Sequence, residues 1–142
     1  MIIAFDLDGT LADITHRLHY IQKQPKDWRA FFAACENDTP IHRMCYLVST
    51  LRSAHRVEIW SGRSDEVREQ TEAWLRKHVG RYDTLRMRTA GDYRPDDVVK
   101  AEWLDAIAPR RRPVIAFDDR DRVVQMWRRR GVICCQVAPG DF

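Results

Sequence analysis

Apolar residues in this chain fall into short continuous runs, each followed by polar residues, and between the runs the hydrophobic positions recur at helical spacing. Ile2–Phe5 is the first run. It is too dense to alternate, so it reads as a strand buried on both faces. Val57–Trp60, Pro113–Phe117 and Val132–Val137 read the same way, with Leu85–Met87 a weaker fifth. The periodicity predicts helices at about Ile41–Ala54, Asp65–His78, Asp96–Ile107 and Arg120–Arg130. In the second, Val67, Thr71, Trp74, Leu75 and His78 share a face; in the last, Val123, Val124 and Trp127 form the buried stripe and Gly131 the stop. Strand alternating with helix predicts a parallel sheet with helices on both faces.

Ala12–Pro40 breaks the alternation. It has no strand signal, carries Pro25-Lys26-Asp27-Trp28 and a helix through Cys35, and is expected to cover the strand ends as a small cap. No repeat, low-complexity run or linker divides the rest, so residues 1–142 are expected to form one domain. A domain of this size buries roughly two-thirds of its unfolded surface and needs no metal or disulfide staple. No stretch approaches the roughly 20 apolar residues of a membrane span. The apolar start meets Asp6 too soon for a secretion leader, so a cytoplasmic protein with no membrane partner is expected. Cys35, Cys45, Cys134 and Cys135 lack CxxC spacing, which argues for buried reduced thiols rather than zinc. The histidines show no metal spacing either. Net charge is only +3, but 20 of the 24 basic residues are arginine. That bias fits phosphate recognition by planar guanidinium forks, and equally a codon bias.

In open α/β sheets, ligands bind beyond the carboxyl ends of the strands. Asp6-Leu7-Asp8-Gly9-Thr10 follows the first run, Ser61-Gly62-Arg63 the second and Asp118-Asp119-Arg120 the third. Asp6 and Asp8 point to the same side while strand geometry lasts, and carboxylates that close favour a bound cation or a shared proton. With Asp118 and Asp119 they form an oxygen set suited to Mg²⁺. Gly9 lets the backbone turn its amides toward an anion. Ser61 offers a hydroxyl, Arg63 a fork and Lys100 a point charge to phosphoryl oxygens. Each has a plainer reading: Asp8-Gly9 and Ser61-Gly62 as turns, Asp119 as a helix N-cap, Lys100 as a solvated helix face. Their meeting at one sheet edge is what points to phosphoryl chemistry.

Asp6-Leu7-Asp8-Gly9-Thr10, Ser61, Lys100 and Asp118-Asp119, in that order, resemble the four motifs of haloacid dehalogenase (HAD) superfamily phosphohydrolases. A closer resemblance rests on Ser61-Gly62-Arg63, Gly91-Asp92, Asp96-Asp97-Val98-Val99-Lys100, Asp118-Asp119-Arg120, Val124, Met126-Trp127-Arg128-Arg129 and Gln136-Val137-Ala138-Pro139-Gly140-Asp141-Phe142. These resemble the 3′-phosphatase domains of the phage polynucleotide kinase/phosphatase family, over nearly the whole chain but thinly from His19 to Pro40. The resemblance implies an α/β, HAD-like Rossmannoid three-layer sandwich, with a central parallel sheet and a small helical cap inserted after the first strand. No GxxxxGK[ST] P-loop occurs, so neither a kinase domain nor kinase activity is carried over.

By the same resemblance, Asp6 attacks phosphorus to form an aspartyl-phosphate. Asp8 then protonates the leaving oxygen and later deprotonates water, assistance worth about 10²–10⁴-fold. The neighbouring charge of Asp6 is expected to raise the Asp8 pKa. Mg²⁺ is expected on Asp6, on Asp8 through its backbone carbonyl, on Asp118, and on Asp119 through water. Ser61, Gly62, Lys100 and Thr10 are expected in the phosphoryl pocket. Arg17 and Arg63 would bind substrate phosphate or orient the site, and Asp96 would orient Lys100 one helical turn on.

Two substrates suit this chemistry: the 3′-phosphorylated end of DNA or RNA, as in end repair, and free (deoxy)nucleoside monophosphates. A receiver-like phospho-acceptor needs an Asp at the end of an internal strand, where this chain has Ser61 after Trp60. A non-catalytic nucleic-acid-binding scaffold would have no use for the six site residues together. Arg110-Arg111-Arg112 and Arg128-Arg129-Arg130 are either a basic rim for a nucleic-acid backbone or solvated ends of elements. Trp60, Trp74, Trp103 and Trp127 are expected in the core; Trp28 and Tyr20, in the cap, are the candidates for stacking on a base.

Overall fold

Ile3 and Phe5 enter one hydrophobic core and Ala4 the other, so strand β1 (Ile2–Phe5) is apolar on both faces and lies at the centre of the sheet. The computed structural model describes residues 1–141; Phe142, the end of the last family-like motif, lies outside the described residues. After β1 come β2 (Ala12–Asp13), α1 (His19–Gln22), α2 (Trp28–Ala33), β3 (Thr39–Pro40), α3 (His42–Arg52) and β4 (Arg56–Ser64). Then follow α4 (Arg68–His78), β5 (Thr84–Arg88), α5 (Asp96–Asp105), β6 (Ile115–Asp118), α6 (Asp121–Arg129) and β7 (Ile133–Gln136). The five long strands are parallel in the order β5-β4-β1-β6-β7.

Helices α3 and α4 cover one face, where Val48, Trp74 and Leu75 pack on Ile3, Phe5, Val57 and Ile59. Helices α5 and α6 cover the other, where Leu104, Val123, Val124 and Trp127 surround Ala4, Trp60 and Ala116. The result is the expected three-layer α/β sandwich. Trp60 anchors the second core, its ring 5.0 Å from Trp127 and 5.9 Å from Trp103. Burying each such side chain contributes about 1.5–3 kcal/mol. Trp103 itself is only partly buried.

Several local features differ from expectation. Strand β4 continues past Trp60 to Ser64, through a register shift between Ser61 and Ser64 against β5. Gly62 permits this irregularity, because a Cβ there would run into the Asp96 carboxylate. The first turn of the predicted Asp65–His78 helix is a 3₁₀ turn, Asp65–Val67. The cap is not free of strands: β2 and β3 pair antiparallel at its two ends and close it like a purse. Cys35, Cys45 and Cys134 are buried, but Cys135 is exposed, because alternate residues of edge strand β7 face opposite ways. Among the described residues, no helix is long and apolar enough to cross a membrane.

Candidate active site

β1 and β6 are neighbours and parallel, so their carboxyl ends deliver Asp6 and Asp118 side by side, with Asp119 in the turn that follows. Lys100, one turn into α5, reaches into this group and donates to Asp6 Oδ1 at 2.6 Å and Asp118 Oδ2 at 2.9 Å. Lys100 is 1% exposed, and burial would lower its pKa, but the attraction of Asp118, Asp6 and Asp96 overcomes burial and raises it. Burial pushes the Asp6 carboxyl well up; Lys100 opposes that, and the charges of Asp118 and Asp119 add to it. Burial and Asp118 likewise push Asp119 up to about 6. Gly9 makes room for the cluster: its φ is +88°, and a Cβ there would land in the Asp119 carboxylate.

Asp8 faces elsewhere. Its Oδ1 accepts from Arg17 Nη2 at 2.8 Å and from Arg63 Nε and Nη2 at 2.8 and 2.6 Å. Burial alone would raise the Asp8 carboxyl, but the Arg63 and Arg17 guanidiniums hold it below the usual carboxylate range. This corrects the expectation that Asp6 would raise it, since the charges nearest Asp8 are positive. Behind the two arginines lies Asp38, at the start of the cap's return to the core. It accepts from Arg17 Nε and Nη2, each at 2.7 Å, and from Arg63 Nη2 at 2.6 Å. His16 Nε2 sits 2.8 Å from the same carboxylate, and Trp74 Nε1 donates to the Asp38 carbonyl at 2.8 Å. Arg17 and Arg63 are fully buried, so the cap segment and β4 each send a guanidinium inward to join two carboxylates.

Ser61 is buried beside this network and accepts from Arg63 N–H at 3.2 Å. Thr10 is also buried, with a hydroxyl that has no partner among the described residues. Asp96 does not hydrogen-bond Lys100. Its carboxylate lies between Arg88 Nη2 and Arg120 Nη1, the latter at 3.3 Å, and it acts on Lys100 only through space. The larger charge of the carboxylate cluster draws Lys100 away from its own helix. Asp119 caps no helix; α6 begins after Arg120 without a side-chain cap. The two arginine runs lie at the amino ends of β6 and β7, at the opposite edge of the sheet from the carboxylates, where Arg130 pairs with Asp105 at 3.0 Å. Asp38, His16 and Arg88 escaped the sequence reading. Asn37-Asp38-Thr39-Pro40 looks like a turn, and only long-range packing brings Asp38 to Arg63.

The residues suit a hard divalent cation. Asp6, Asp118 and Asp119 each bring a carboxylate oxygen to within 4.8 Å of the others, all three being buried. Three carboxylates outweigh the one buried ammonium, and the donors are all oxygen. Asp8's carboxylate is held by the arginines and takes no part in this group. The arrangement thus sets a cluster of three buried carboxylates with one ammonium, and a second, separately held carboxylate, around the end of β1.

A model of the polynucleotide kinase PNKP phosphatase domain matches residues 1–142. Two structures of the Pnkp1/Rnl/Hen1 RNA repair complex hold a chain 32% identical to this one, matched over 99% of it with TM-scores of 0.80 and 0.82. This chain spans 43% and 47% of those chains, less than half their length. The haloacid dehalogenase-like protein SP0104 from Streptococcus pneumoniae shares the fold at 16% identity (TM-score 0.61, 95% of this chain and 83% of that one). So does the L-2-haloacid dehalogenase of Xanthobacter autotrophicus at 13% (TM-score 0.62, 96% and 76%). On the full-length match and the shared architecture, the chain belongs to the PNKP phosphatase-domain family of HAD-type phosphatases.

Proposed function

We propose that the protein is a Mg²⁺-dependent phosphomonoesterase that works through an aspartyl-phosphate on Asp6 and removes 3′-phosphate from polynucleotide ends. The observation that carries this reading is the division of labour at the end of β1: Asp6 lies with Lys100 and Asp118, while Asp8 is held apart by Arg17 and Arg63. A carboxylate in the first position can attack phosphorus, and one in the second can handle protons without competing for the cation. Asp6, Asp118 and Asp119 would hold Mg²⁺, which when bound offsets carboxylate–phosphate repulsion and stabilises charge on the transferring group.

Lys100 orients Asp6 and presents positive charge to a phosphoryl oxygen. Ser61, with Gly62 beside it in the chain, and Thr10 after β1 supply hydrogen bonds to the other oxygens. Asp8 is ionised in the resting site, which suits it to take a proton from water in the second half-reaction. A phosphoryl dianion arriving beside it raises its proton affinity, as any nearby negative charge does, and this suits it to protonate the leaving oxygen in the first. Asp38 holds both arginines and thereby fixes where Asp8 points. The preference for polynucleotide ends is supported by the family and by the RNA repair complexes in which the relatives at 32% identity are found.

The test is phosphate release with Mg²⁺ from a 3′-phosphorylated oligonucleotide beside 5′-deoxynucleoside monophosphates. Preference for the oligonucleotide supports the proposal; preference for the mononucleotides would make the protein a nucleotidase with the same chemistry. Asp6→Asn is expected to abolish turnover with the fold intact, and residual wild-type turnover would overturn the assignment of the nucleophile.

A further inference from the structure

We infer that the outer face of the cap, formed by Tyr20 and Trp28 with Lys23, Lys26 and Arg29, is a stacking platform for a nucleobase of a single-stranded polynucleotide whose 3′-phosphorylated end occupies the active site. The inference rests on the proposed function and adds a subsite to it.

The platform is built on the catalytic machinery. The Phe31 carbonyl accepts from Arg17 Nη1 at 3.3 Å, and the Arg17 guanidinium lies 4.2 Å from the centre of the Phe31 ring. Trp28 packs edge-on against Phe31 at 5.7 Å and lies near-parallel to Phe32 at 6.0 Å, yet remains 41% exposed. Outward from Asp8 the order is therefore Arg17, Phe31, Trp28, each touching the next. The segment is also fixed in place: the Asp27 carboxylate caps α2 at Ala30 N–H, and Asp27 N–H donates to the Tyr20 carbonyl, at 2.9 and 2.8 Å.

The charge around the rings is unneutralised. Lys26 Nζ lies 5.7 Å from the Trp28 ring and Lys23 Nζ 6.0 Å from that of Tyr20. Lys23, Lys26 and Arg29 are exposed, and none has an acidic partner among the described residues. Asp27, the carboxylate between Lys26 and Trp28 in sequence, is engaged by the helix end. A strand needs exposed aromatic surface among cations, and Trp28 offers it, whereas Tyr20 is partly buried with the His19 ring 4.0 Å from its own; a base can stack on Trp28 while phosphates meet the charges. Two side chains, Arg17 and Phe31, separate Trp28 from Asp8. That spacing suits a base further along a strand better than the base of a mononucleotide seated in the site. The arginine runs lie at the amino ends of β6 and β7, away from the strand ends that carry Asp6.

The test compares the full chain with its variants on a 3′-phosphorylated single-stranded hexanucleotide and on p-nitrophenyl phosphate. For Trp28→Ala, the ratio of kcat/KM on the hexanucleotide to that on p-nitrophenyl phosphate is expected to fall about 5- to 150-fold, the value of one base–aromatic stack, mostly through KM. Trp28→Phe is expected to recover most of the loss. Lys23→Glu with Lys26→Glu, which disturbs no core residue, is expected to raise KM for the hexanucleotide and flatten its salt dependence. It keeps the test decisive should Trp28→Ala fail to fold. Equal ratios and equal salt dependence in wild type and variants would overturn the platform while leaving the polynucleotide reading in place. A wild type that turns over mononucleotides and ignores the hexanucleotide would overturn both.

Discussion

Asp38→Asn tests whether the buried ion-pair network sets the protonation of Asp8, the proposed catalytic acid. Asp38 accepts three guanidinium hydrogen bonds at 2.6–2.7 Å, with its side chain fully buried. The substitution keeps the shape and removes the charge, so two buried guanidiniums are left to face Asp8 alone. Removing one partner of a buried pair costs about 3–5 kcal/mol. For a domain of this size, that corresponds to a fall in Tm of roughly 10–15 °C. A chemical effect follows with its sign fixed. With the second anion gone, Arg17 and Arg63 draw the Asp8 carboxyl further below its already lowered position. The limb of the rate profile that requires protonated Asp8 then moves to lower pH, by about one unit for each 1.4 kcal/mol of added attraction. At neutral pH, kcat should fall at least tenfold. The assays are a thermal melt and a pH–rate profile on p-nitrophenyl phosphate. A double-mutant cycle with Arg17→Lys would separate the pairwise contribution from general loss of packing. A variant with wild-type Tm and an unshifted profile would refute the reasoning, because the network would then govern neither stability nor Asp8.

Other expectations can be checked on the same protein. Gly9→Ala combines a φ of +88° with a Cβ placed in the Asp119 carboxylate, so metal affinity and turnover should both be lost, measured by calorimetry and phosphate release. Burial and Asp118 raise Asp119 to about 6 in the folded protein, against 3.8 unfolded. In metal-free protein its contribution to stability is therefore present below about pH 4 and lost as pH rises through about 6. Mg²⁺ should thus raise Tm more at pH 7.5 than at pH 5, and an equal rise at both would contradict a cation at this cluster. Among the thiols, Cys135 should alkylate rapidly in the native protein. Cys134, which burial and then Asp118 push up to about 12, should label only on unfolding, as mass spectrometry would report.

The frame and half of the site were legible because their signals are local. Ile2–Phe5 is continuous in apolar residues and ends at Asp6, and Ile115–Asp118 repeats the pattern, so parallel pairing alone brings Asp6 and Asp118 together. What local pattern could not reveal was who partners whom. Asp38 has no periodicity to mark it, and its importance lies in contacts 21 and 25 residues away. The i,i+4 spacing of Asp96 and Lys100 suggested a pair, but the carboxylates at the sheet edge attract Lys100 more strongly, and two arginines claim Asp96. The ionisation of Asp8 was misjudged for the same reason: proximity in sequence to Asp6 mattered less than proximity in space to Arg63. The arginine runs were visible as composition, but their edge of the sheet follows only from strand direction.

The strand order also bears on how the chain assembles. β1 precedes the other strands of its sheet, yet its two neighbours, β4 and β6, begin at residues 56 and 115. During synthesis, the edge of β1 that faces β4 can pair once residue 59 is made, but the edge that faces β6 stays open until residue 117, the condition in which strands recruit the wrong partner. Pairings this far apart carry a high contact order and predict slow folding for a domain of this length. The proposed catalytic centre therefore comes last: Asp6, Lys100 and Asp118 meet only when the final third of the chain closes on the first. A nascent or truncated chain ending before β6 would hold Asp6 but lack Asp118 beside it.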